Sequence, residues 1–241
     1  MLVIIVAAIV VVATLLLPVL MDSQHAHSVR PAGRGGIELP FVAHEDEVDD
    51  EGFPVVDWEY WRTINPAIVG WVSVPGTNID YAVVQASPDD PDFYLNHDIY
   101  GNRNAYGCPY VDADCVRGMD SPHVYIFGHH MDDGTMFAGF VPYSEPGFAA
   151  AHRTIYLQTP AWKKRINVAA VDIIPGETRT RRTAFANTAE LQQWFAAAHE
   201  ASDVQLNYDT SNLSQLFTFV TCSYHYNSDE RTLVFAPSVQ P

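Results

Sequence analysis

The sequence predicts a mainly β fold, a barrel or a sandwich, with few helices. Short runs rich in β-branched and aromatic residues are separated by turns that contain Gly, Pro, Asn or Asp, which is typical of all-β domains. Such runs predict strands at residues 68–74, 79–84, 108–112, 123–127, 154–157, 165–174, 215–222 and 231–236. About 185 residues follow position 56, enough for one domain with its own core.

The first 21 residues carry no charged side chain and are almost wholly apolar. As a helix this segment would span roughly 30 Å, the thickness of a bilayer core. A cleaved signal peptide would have a basic start, a shorter apolar core and a small-x-small cleavage site, and none of these is evident. Residues 1–21 are therefore predicted to be a transmembrane anchor. Arg30 and Arg34 follow it and, by the positive-inside rule alone, favour an orientation with the following domain inside.

Residues 22–56 are predicted to be a flexible linker, because they combine Pro and Gly with low hydrophobicity. Their acidic run at residues 45–51 is interpreted as a solvated spacer and not as a metal site. The whole chain has 29 acidic and 13 basic residues, a formal charge of −16. Nucleic-acid binding requires a basic surface, so this composition argues against it. The folded domain is predicted at residues 57–241.

Two helices are predicted within the domain. The first lies at residues 57–68, with Trp58 and Trp61 on its packing face, and Pro66 breaks it. The second begins at Asn187, which with Glu190 fits a capping box. An apolar stripe at helical spacing follows and would pack on the sheet: Leu191, Trp194, Phe195 and Ala198.

Two candidate strands near the C-terminus place a thiol beside a guanidinium. The run at residues 215–222 ends on Cys222, and the run at residues 231–236 begins on Arg231. A hairpin formed by these strands would bring the two side chains together. A lone cysteine is more often a small buried apolar residue, so this pairing alone does not indicate chemistry.

A histidine at the end of another predicted strand supports a catalytic role for Cys222. Gly128 ends the run at residues 123–127 and frees the backbone to turn, so that His129 follows directly. A Cys and a His at two strand ends, far apart in sequence, can meet as nucleophile and base. His130 is the alternative base; if His129 is the base, His130 is expected to point away from the site or to line its edge.

Together these segments resemble the sortases, the cysteine transpeptidases of Gram-positive cell surfaces. Residues 218–222 have the sequence TFVTC, close to the family's Thr-Leu-x-Thr-Cys, and Arg231 stands where the family has its arginine. Three segments are closer to class B than to the other classes: GHHM from Gly128, WVSVPGTNIDYAVVQ from Trp71 and YLNH from Tyr94. The resemblance covers residues 57–236.

The resemblance implies a closed β-barrel with appended helices and a cysteine transpeptidase or peptidase that needs no cofactor. Cys222 would attack a carbonyl and form a thioacyl enzyme. His129 would act as general acid and as the cation beside the thiolate, since the family's histidine directly follows the Gly. Arg231 would hold a substrate carbonyl or the oxyanion. Leu95, Asn96 and Thr221 resemble positions of the family's substrate groove.

The partners implied are surface proteins with a C-terminal sorting signal and an amine acceptor, either a cell-wall peptidoglycan precursor or a pilin. The catalytic domain would lie on the extracellular face of the membrane, held by a single-pass anchor. Two alternatives remain open: a hydrolytic cysteine peptidase that uses the same Cys and His, and a surface-anchored binding module that needs neither.

Two further cysteines lie seven residues apart, Cys108 and Cys115. They could form a disulfide in an extracytoplasmic chain, or they could stay reduced. A zinc site is not expected, because no Cys-x-x-Cys or His pair at ligand spacing accompanies them.

Overall fold

The computed structural model describes residues 48–176, 181–209, 212–223, 225 and 229–239. Ten strands form one sheet: β1 (Ile68–Ser73), β2 (Asp80–Gln85), β3 (Tyr110–Val111), β4 (His123–Phe127), β5 (Thr154–Gln158), β6 (Lys163–Asn167), β7 (Ala170–Pro175), β8 (Val204–Gln205), β9 (Leu213–Ser223) and β10 (Glu230–Val239). Their order in the sheet is β6-β5-β1-β2-β3-β4-β9-β10-β7-β8. The prediction of a mainly β fold is confirmed.

The chain changes pairing partner between β6 and β7, and this lets the sheet curl. β6 pairs with β5, whereas β7, two residues later, pairs with β10. At the change the Val168 amide donates to the carbonyl of Arg153, and the Ala169 amide donates to that of Phe235, both at 2.8 Å. The prediction of one strand over residues 165–174 is wrong for this reason. Within the described residues no ladder joins the edge strands β6 and β8, so the sheet is a curled half-barrel and not the closed barrel that the resemblance implied.

The inner face of β9 forms part of the core. Phe217 and Phe219 are fully buried, and the ring of Phe219 stacks on Phe140 at 5.0 Å between centroids. Phe140 belongs to the 3-10 helix Phe137–Ser144, which packs inside the curled sheet. Because side chains alternate along a strand, Cys222 lies on the face opposite to Phe217 and Phe219.

In the described part of the chain, three α-helices accompany the sheet: α1 (Trp58–Ile64), α2 (Pro146–Ala151) and α3 (Thr188–Ala201). The side chain of Asp57 caps α1 by accepting from the Tyr60 amide at 3.0 Å. The predicted first helix is confirmed but is shorter, since Ile68 instead begins β1.

Helix α3 begins where the capping pattern predicts. The Asn187 side chain accepts from the Glu190 amide at 3.0 Å. The Glu190 carboxylate does not complete the box: it accepts from the Ala186 amide at 2.6 Å and pairs with Arg182. The predicted stripe packs on the sheet, with Leu191 and Phe195 buried.

The folded part of the chain includes residues 48–56, which the sequence predicts to be linker. The Phe53 ring is buried and packs edge-on against Tyr156 at 4.8 Å, and Gln158 donates to the carbonyl of Pro54 at 2.7 Å. Asp49 forms an ion pair with Lys163 at 2.5 Å. Residues 48–56 therefore lie against β5 and β6.

The predicted anchor, residues 1–21, lies outside the described residues. The first three residues of the acidic run, 45–47, also lie outside them. In the part of the chain that the structure describes, no helix has the length and apolarity needed to cross a bilayer.

Candidate active site

The thiol and the guanidinium are brought together by one antiparallel ladder. Cys222 of β9 stands directly opposite Arg231 of β10, as the predicted hairpin requires. On the same face, the next opposed pair is Val220 and Leu233. The Cys222 side chain is partly exposed, which distinguishes it from a core cysteine.

His129 is delivered to the same edge by a parallel ladder. β4 runs parallel to β9, with Phe127 opposite Val220, and the Gly128 amide continues the ladder by donating to the Val220 carbonyl at 3.0 Å. The next residues along these strands lead to His129 and Cys222. Gly128 must be a glycine here, because a Cβ would lie 2.5 Å from the ring of Phe137. The two strand ends that carry the predicted base and nucleophile therefore lie side by side.

The His129 ring is held by a backbone group. Its Nε2 lies 2.7 Å from the carbonyl oxygen of Leu95, at the end of the 3-10 helix Phe93–Leu95. A carbonyl oxygen only accepts, so Nε2 donates and carries a proton in this contact. The position predicted to bind substrate, Leu95, thus contacts the histidine through its main chain.

His130 also contacts the site, and its position differs from the sequence-based expectation. Its Nδ1 lies 3.1 Å from the carbonyl oxygen of Cys222, to which it donates. His130 therefore supports the strand end that carries the thiol and does not merely line the edge of the site.

Only one nitrogen of the Arg231 guanidinium donates hydrogen bonds to described residues. Its Nη1 donates to Asp229 Oδ1 at 3.1 Å and to the Glu230 carbonyl at 2.9 Å. Its Nε and Nη2 make no hydrogen bond to any residue that the structure describes. Gly176 leaves room for this arrangement, because a Cβ there would lie 2.9 Å from Nη1. Two donor groups of Arg231 are thus available to an oxygen atom of a substrate.

A cleft of about 450 Å³ extends from Arg231 along the outer face of the sheet. Its apolar wall includes Val220 and Leu233, together with Phe127. These residues belong to β9 and β10, which carry Cys222 and Arg231, and to β4, which ends two residues before His129. Cys222 and His129 are not among the residues that line the cleft, but Arg231, the ladder partner of Cys222, lies at its edge.

An ion pair that the sequence did not indicate lines this cleft. Arg181 Nη1 lies 2.7 Å from Asp112 Oδ2, and the guanidinium lies over the ring of Phe127 at 5.5 Å. Burial raises the pKa of Asp112, against the opposing effects of the Asp114 amide and Arg181. Burial, followed by the nearby carboxylates of Asp92 and Asp112, raises the pKa of Tyr110 in the same wall. No local signal marks Arg181 and Asp112, since 69 residues separate them.

The two other predicted substrate positions differ in their exposure. Asn96 is exposed beside Leu95, and its carbonyl accepts from the Asn104 amide at 2.8 Å. Thr221 is only 2% exposed and lies on the inner face of β9, opposite Thr232. Its side chain therefore does not line the cleft, because alternation along the strand directs it away from Cys222.

Cys108 and Cys115 are both free thiols. They are buried in two different apolar clusters, and burial raises the pKa of Cys115 to about 12. Of the two states that the sequence left open, the structure has the reduced one. No cluster of three or more metal-ligating side chains occurs among the described residues.

Two curated proteins are similar to this chain over most of its length. Sortase B of Listeria monocytogenes is 25% identical over 173 residues, which cover 72% of this chain and 70% of that protein. Sortase B of Staphylococcus aureus is 24% identical over 182 residues, which cover 76% of this chain and 74% of that protein. No protein-family model matches the sequence.

Solved structures show the same fold. Sortase B of Clostridium perfringens superposes with a TM-score of 0.67 and 24% identity, covering 76% of this chain and 99% of that structure. A Staphylococcus aureus sortase B–substrate complex has a TM-score of 0.63 and 25% identity, covering 74% and 82%. A structure of sortase B complexed with triglycine has a TM-score of 0.63 and 26% identity, covering 74% and 83%.

Proposed function

Because this chain belongs to the class B sortases, a family of cysteine transpeptidases, we propose that it cleaves a C-terminal sorting signal and transfers the protein to an amine. The observation that carries the proposal is the convergence of three strand ends, which brings Cys222 opposite Arg231 and His129 to the same edge. Similarity to sortase B structures that hold a substrate and triglycine supports a peptide substrate and an amine acceptor.

In the first half of the reaction, the Cys222 thiolate attacks the carbonyl carbon of the scissile peptide bond. The oxygen gains negative charge, and the available donors of Arg231 stabilise it. When the C–N bond breaks, protonated His129 gives its proton to the leaving amine, which departs with the C-terminal part of the signal. The product is a thioacyl enzyme.

In the second half, the acceptor amine attacks the thioester carbonyl and His129 takes a proton from it. The C–S bond then breaks and returns the Cys222 thiolate, leaving a new amide. Water in place of the amine would give a free carboxylate, which is the outcome for a hydrolytic peptidase.

The location of the reaction follows from the chemistry of the substrates. Surface proteins and cell-wall precursors or pilins meet outside the cell, so the catalytic domain acts on the extracellular face of the membrane. The apolar segment at residues 1–21 is the single-pass anchor in this proposal.

Mass spectrometry of the chain with a panel of sorting-signal peptides and amines tests the proposal, with Cys222→Ala as the matched control. We expect a thioacyl adduct on Cys222 and an amide product in the wild type, and neither in the variant. A carboxylate as the only product would favour the peptidase. Peptide binding that survives in Cys222→Ala, together with no adduct in the wild type, would favour a binding module.

A further inference from the structure

We propose that the backbone carbonyl of Leu95 fixes the tautomer of His129, so that Nδ1 is the ring nitrogen that exchanges the proton with Cys222, the leaving amine and the acceptor. The inference rests on the proposed function, because it assigns an atom to the acid–base step of that reaction. The group that orients the histidine is then a main-chain carbonyl and not an acidic side chain.

The contacts of His129 determine which of its ring nitrogens holds the proton. Its Nε2 lies 2.7 Å from the Leu95 oxygen, which can only accept, so the proton on Nε2 is held in place. Within the described part of the chain, Nδ1 makes no hydrogen bond. When His129 is neutral, the hydrogen bond favours the tautomer protonated at Nε2 and leaves the lone pair on Nδ1.

This tautomer makes Nδ1 the nitrogen that transfers protons. The lone pair on Nδ1 takes the proton of the thiol or of the attacking amine, and Nδ1–H later gives a proton to the leaving amine. The proton on Nε2 stays on the ring throughout, bonded to the Leu95 oxygen. A neutral carbonyl orients the ring as a carboxylate would, but it adds no negative charge beside the imidazolium.

The position of the Leu95 carbonyl is itself fixed by close packing. The Cys108 amide donates to the carbonyl of Tyr94 at 3.1 Å, which holds residues 107–108 against residues 94–95. Gly107 lies within this contact with a φ of +58°. A Cβ on Gly107 would lie 2.3 Å from the Tyr94 oxygen and 2.8 Å from the Leu95 oxygen. Only glycine at position 107 therefore allows the Leu95 carbonyl to stay within hydrogen-bonding distance of His129.

The chain offers a matched control for this glycine. Gly101 lies in the same loop with a φ of +79°, and a Cβ there would have nothing within 4 Å. Gly101→Ala imposes backbone strain of the same kind as Gly107→Ala but leaves the Leu95 carbonyl in place. A difference between the two variants therefore reports on the carbonyl and not on the strain of a positive φ.

The direct test is the nitrogen NMR spectrum of the chain with ¹⁵N-labelled histidine, in which His129 is identified by the signals lost in His129→Gln. In the wild type, neutral His129 is expected to be protonated at Nε2. Gly107→Ala should give a mixture of tautomers and lower kcat/KM for thioacyl formation by about tenfold, part of the 10²–10⁴ that a positioned acid–base group contributes. Gly101→Ala should change neither quantity.

A neutral His129 protonated at Nδ1 in the wild type would overturn the inference, as would an unchanged tautomer in Gly107→Ala. If Gly107→Ala does not fold, the wild-type spectrum alone decides. A wild type that has the Nε2 tautomer but forms no thioacyl adduct with any peptide would support the tautomer and refute the proposed function, so the two failures are distinguishable.

Discussion

His129 and His130 are adjacent in sequence but are held by different backbone carbonyls, and this separates their roles. The His129 ring is held at Nε2 by Leu95, which leaves its other nitrogen available for chemistry. The His130 ring donates from Nδ1 to Cys222 and so supports the peptide group next to the thiol. At the scale of single residues, one histidine is expected to act in the reaction and the other to position the nucleophile.

His129→Ala and His130→Ala should therefore lower the transpeptidase activity to different extents. His129→Ala is expected to form no amide product, because it removes the proton donor of the leaving amine. His130→Ala should keep activity but lower kcat/KM by about fivefold, since a hydrogen bond of this kind contributes about 1 kcal/mol. Steady-state kinetics of both variants check this. The reverse order of effects would make His130 the acid–base group.

Arg231→Lys tests whether Arg231 acts through geometry as well as charge. Lysine keeps the positive charge but has no planar fork, so it cannot bind an oxygen through the same paired donors. We expect kcat/KM to fall by about 10²–10³, the usual cost of losing one oxyanion donor. Arg62→Lys, at an exposed position of α1, is the control and should match the wild type. If Arg231 served only to favour the thiolate, lysine would replace it with little loss.

Alkylation of Cys222 in Arg231→Lys completes that comparison. A small alkylating agent needs the thiolate but no oxyanion site. We expect its rate to stay close to that of the wild type while transpeptidation falls. Equal losses in both reactions would contradict the oxyanion role.

The residues that the sequence could identify are those whose position depends on local pattern. Alternation along one strand and a turn predict that Cys222 faces Arg231, and the ladder confirms it. The ion pair of Asp112 and Arg181 was not predictable, because it joins segments that only the tertiary fold brings together. The contact of His130 with Cys222 was missed for the same reason.

At the scale of elements, the start of β4 contacts α3 through a buried histidine, His123. His123 has no exposed surface, and its Nε2 lies 2.7 Å from the hydroxyl of Thr218 on β9. The rings of Tyr125 and Trp194 lie 4.2 and 5.2 Å from it. Burial lowers the pKa of His123 to about 3, so the ring is neutral in the folded protein at neutral pH.

This burial predicts a loss of stability in mild acid. An unfolded histidine has a pKa near 6.5, so below that pH the unfolded state binds a proton that the folded state does not. The free energy of unfolding should fall as pH decreases from about 6.5 towards 3, by about 1.4 kcal/mol per unit at most. Urea unfolding at pH 7 and pH 5 measures this.

The double variant His123→Leu/Thr218→Val should show a smaller loss between pH 7 and pH 5, because it removes the titrating ring and its partner hydroxyl together. His152→Gln is the control and should retain the wild-type loss. Other titrating groups, including Asp112 and Asp172, whose pKa values are raised by burial, are present in all three proteins, so the difference between the proteins reports on His123. A double variant as sensitive to pH as the wild type would contradict the prediction.

Strand positions were predicted more accurately than strand partners. β4 was predicted with the bounds that the structure has, because its apolar run is bounded by a proline and a glycine. Residues 165–174 have an uninterrupted β pattern, and their division into β6 and β7 depends on β5 and β10, which lie elsewhere in the chain. Strand β8 has only two residues, too few to show the alternation of apolar and polar residues by which a strand is recognised.

At the scale of the whole molecule, the folded unit includes residues that its composition assigned to a linker. Phe53 is 4% exposed and contacts Tyr156, although acidic residues surround it in sequence. Composition averages over a window, so it cannot reveal one aromatic side chain that packs on a distant strand.

Phe53→Ala should therefore destabilise the domain by about 3 kcal/mol, the cost expected for a buried phenylalanine. Val48→Ala, at a position that is 58% exposed, should change the free energy of unfolding by less than about 0.5 kcal/mol. Chemical denaturation of both variants measures this. Equal stability of Phe53→Ala and the wild type would mean that residues 48–56 contribute nothing to the fold.

The parallel ladder of β4 and β9 also determines when a newly made chain can become reactive. The β9–β10 hairpin is local and can bring Cys222 to Arg231 early, whereas the ladder with β4 closes a long loop, as in the pairing of Ile126 with Phe219. Contacts of long sequence separation form late because closing the loop costs chain entropy. We expect Cys222 and His129 to come together only after most of the sheet has assembled, so an incompletely folded chain would be unable to form a thioacyl adduct with neighbouring peptides.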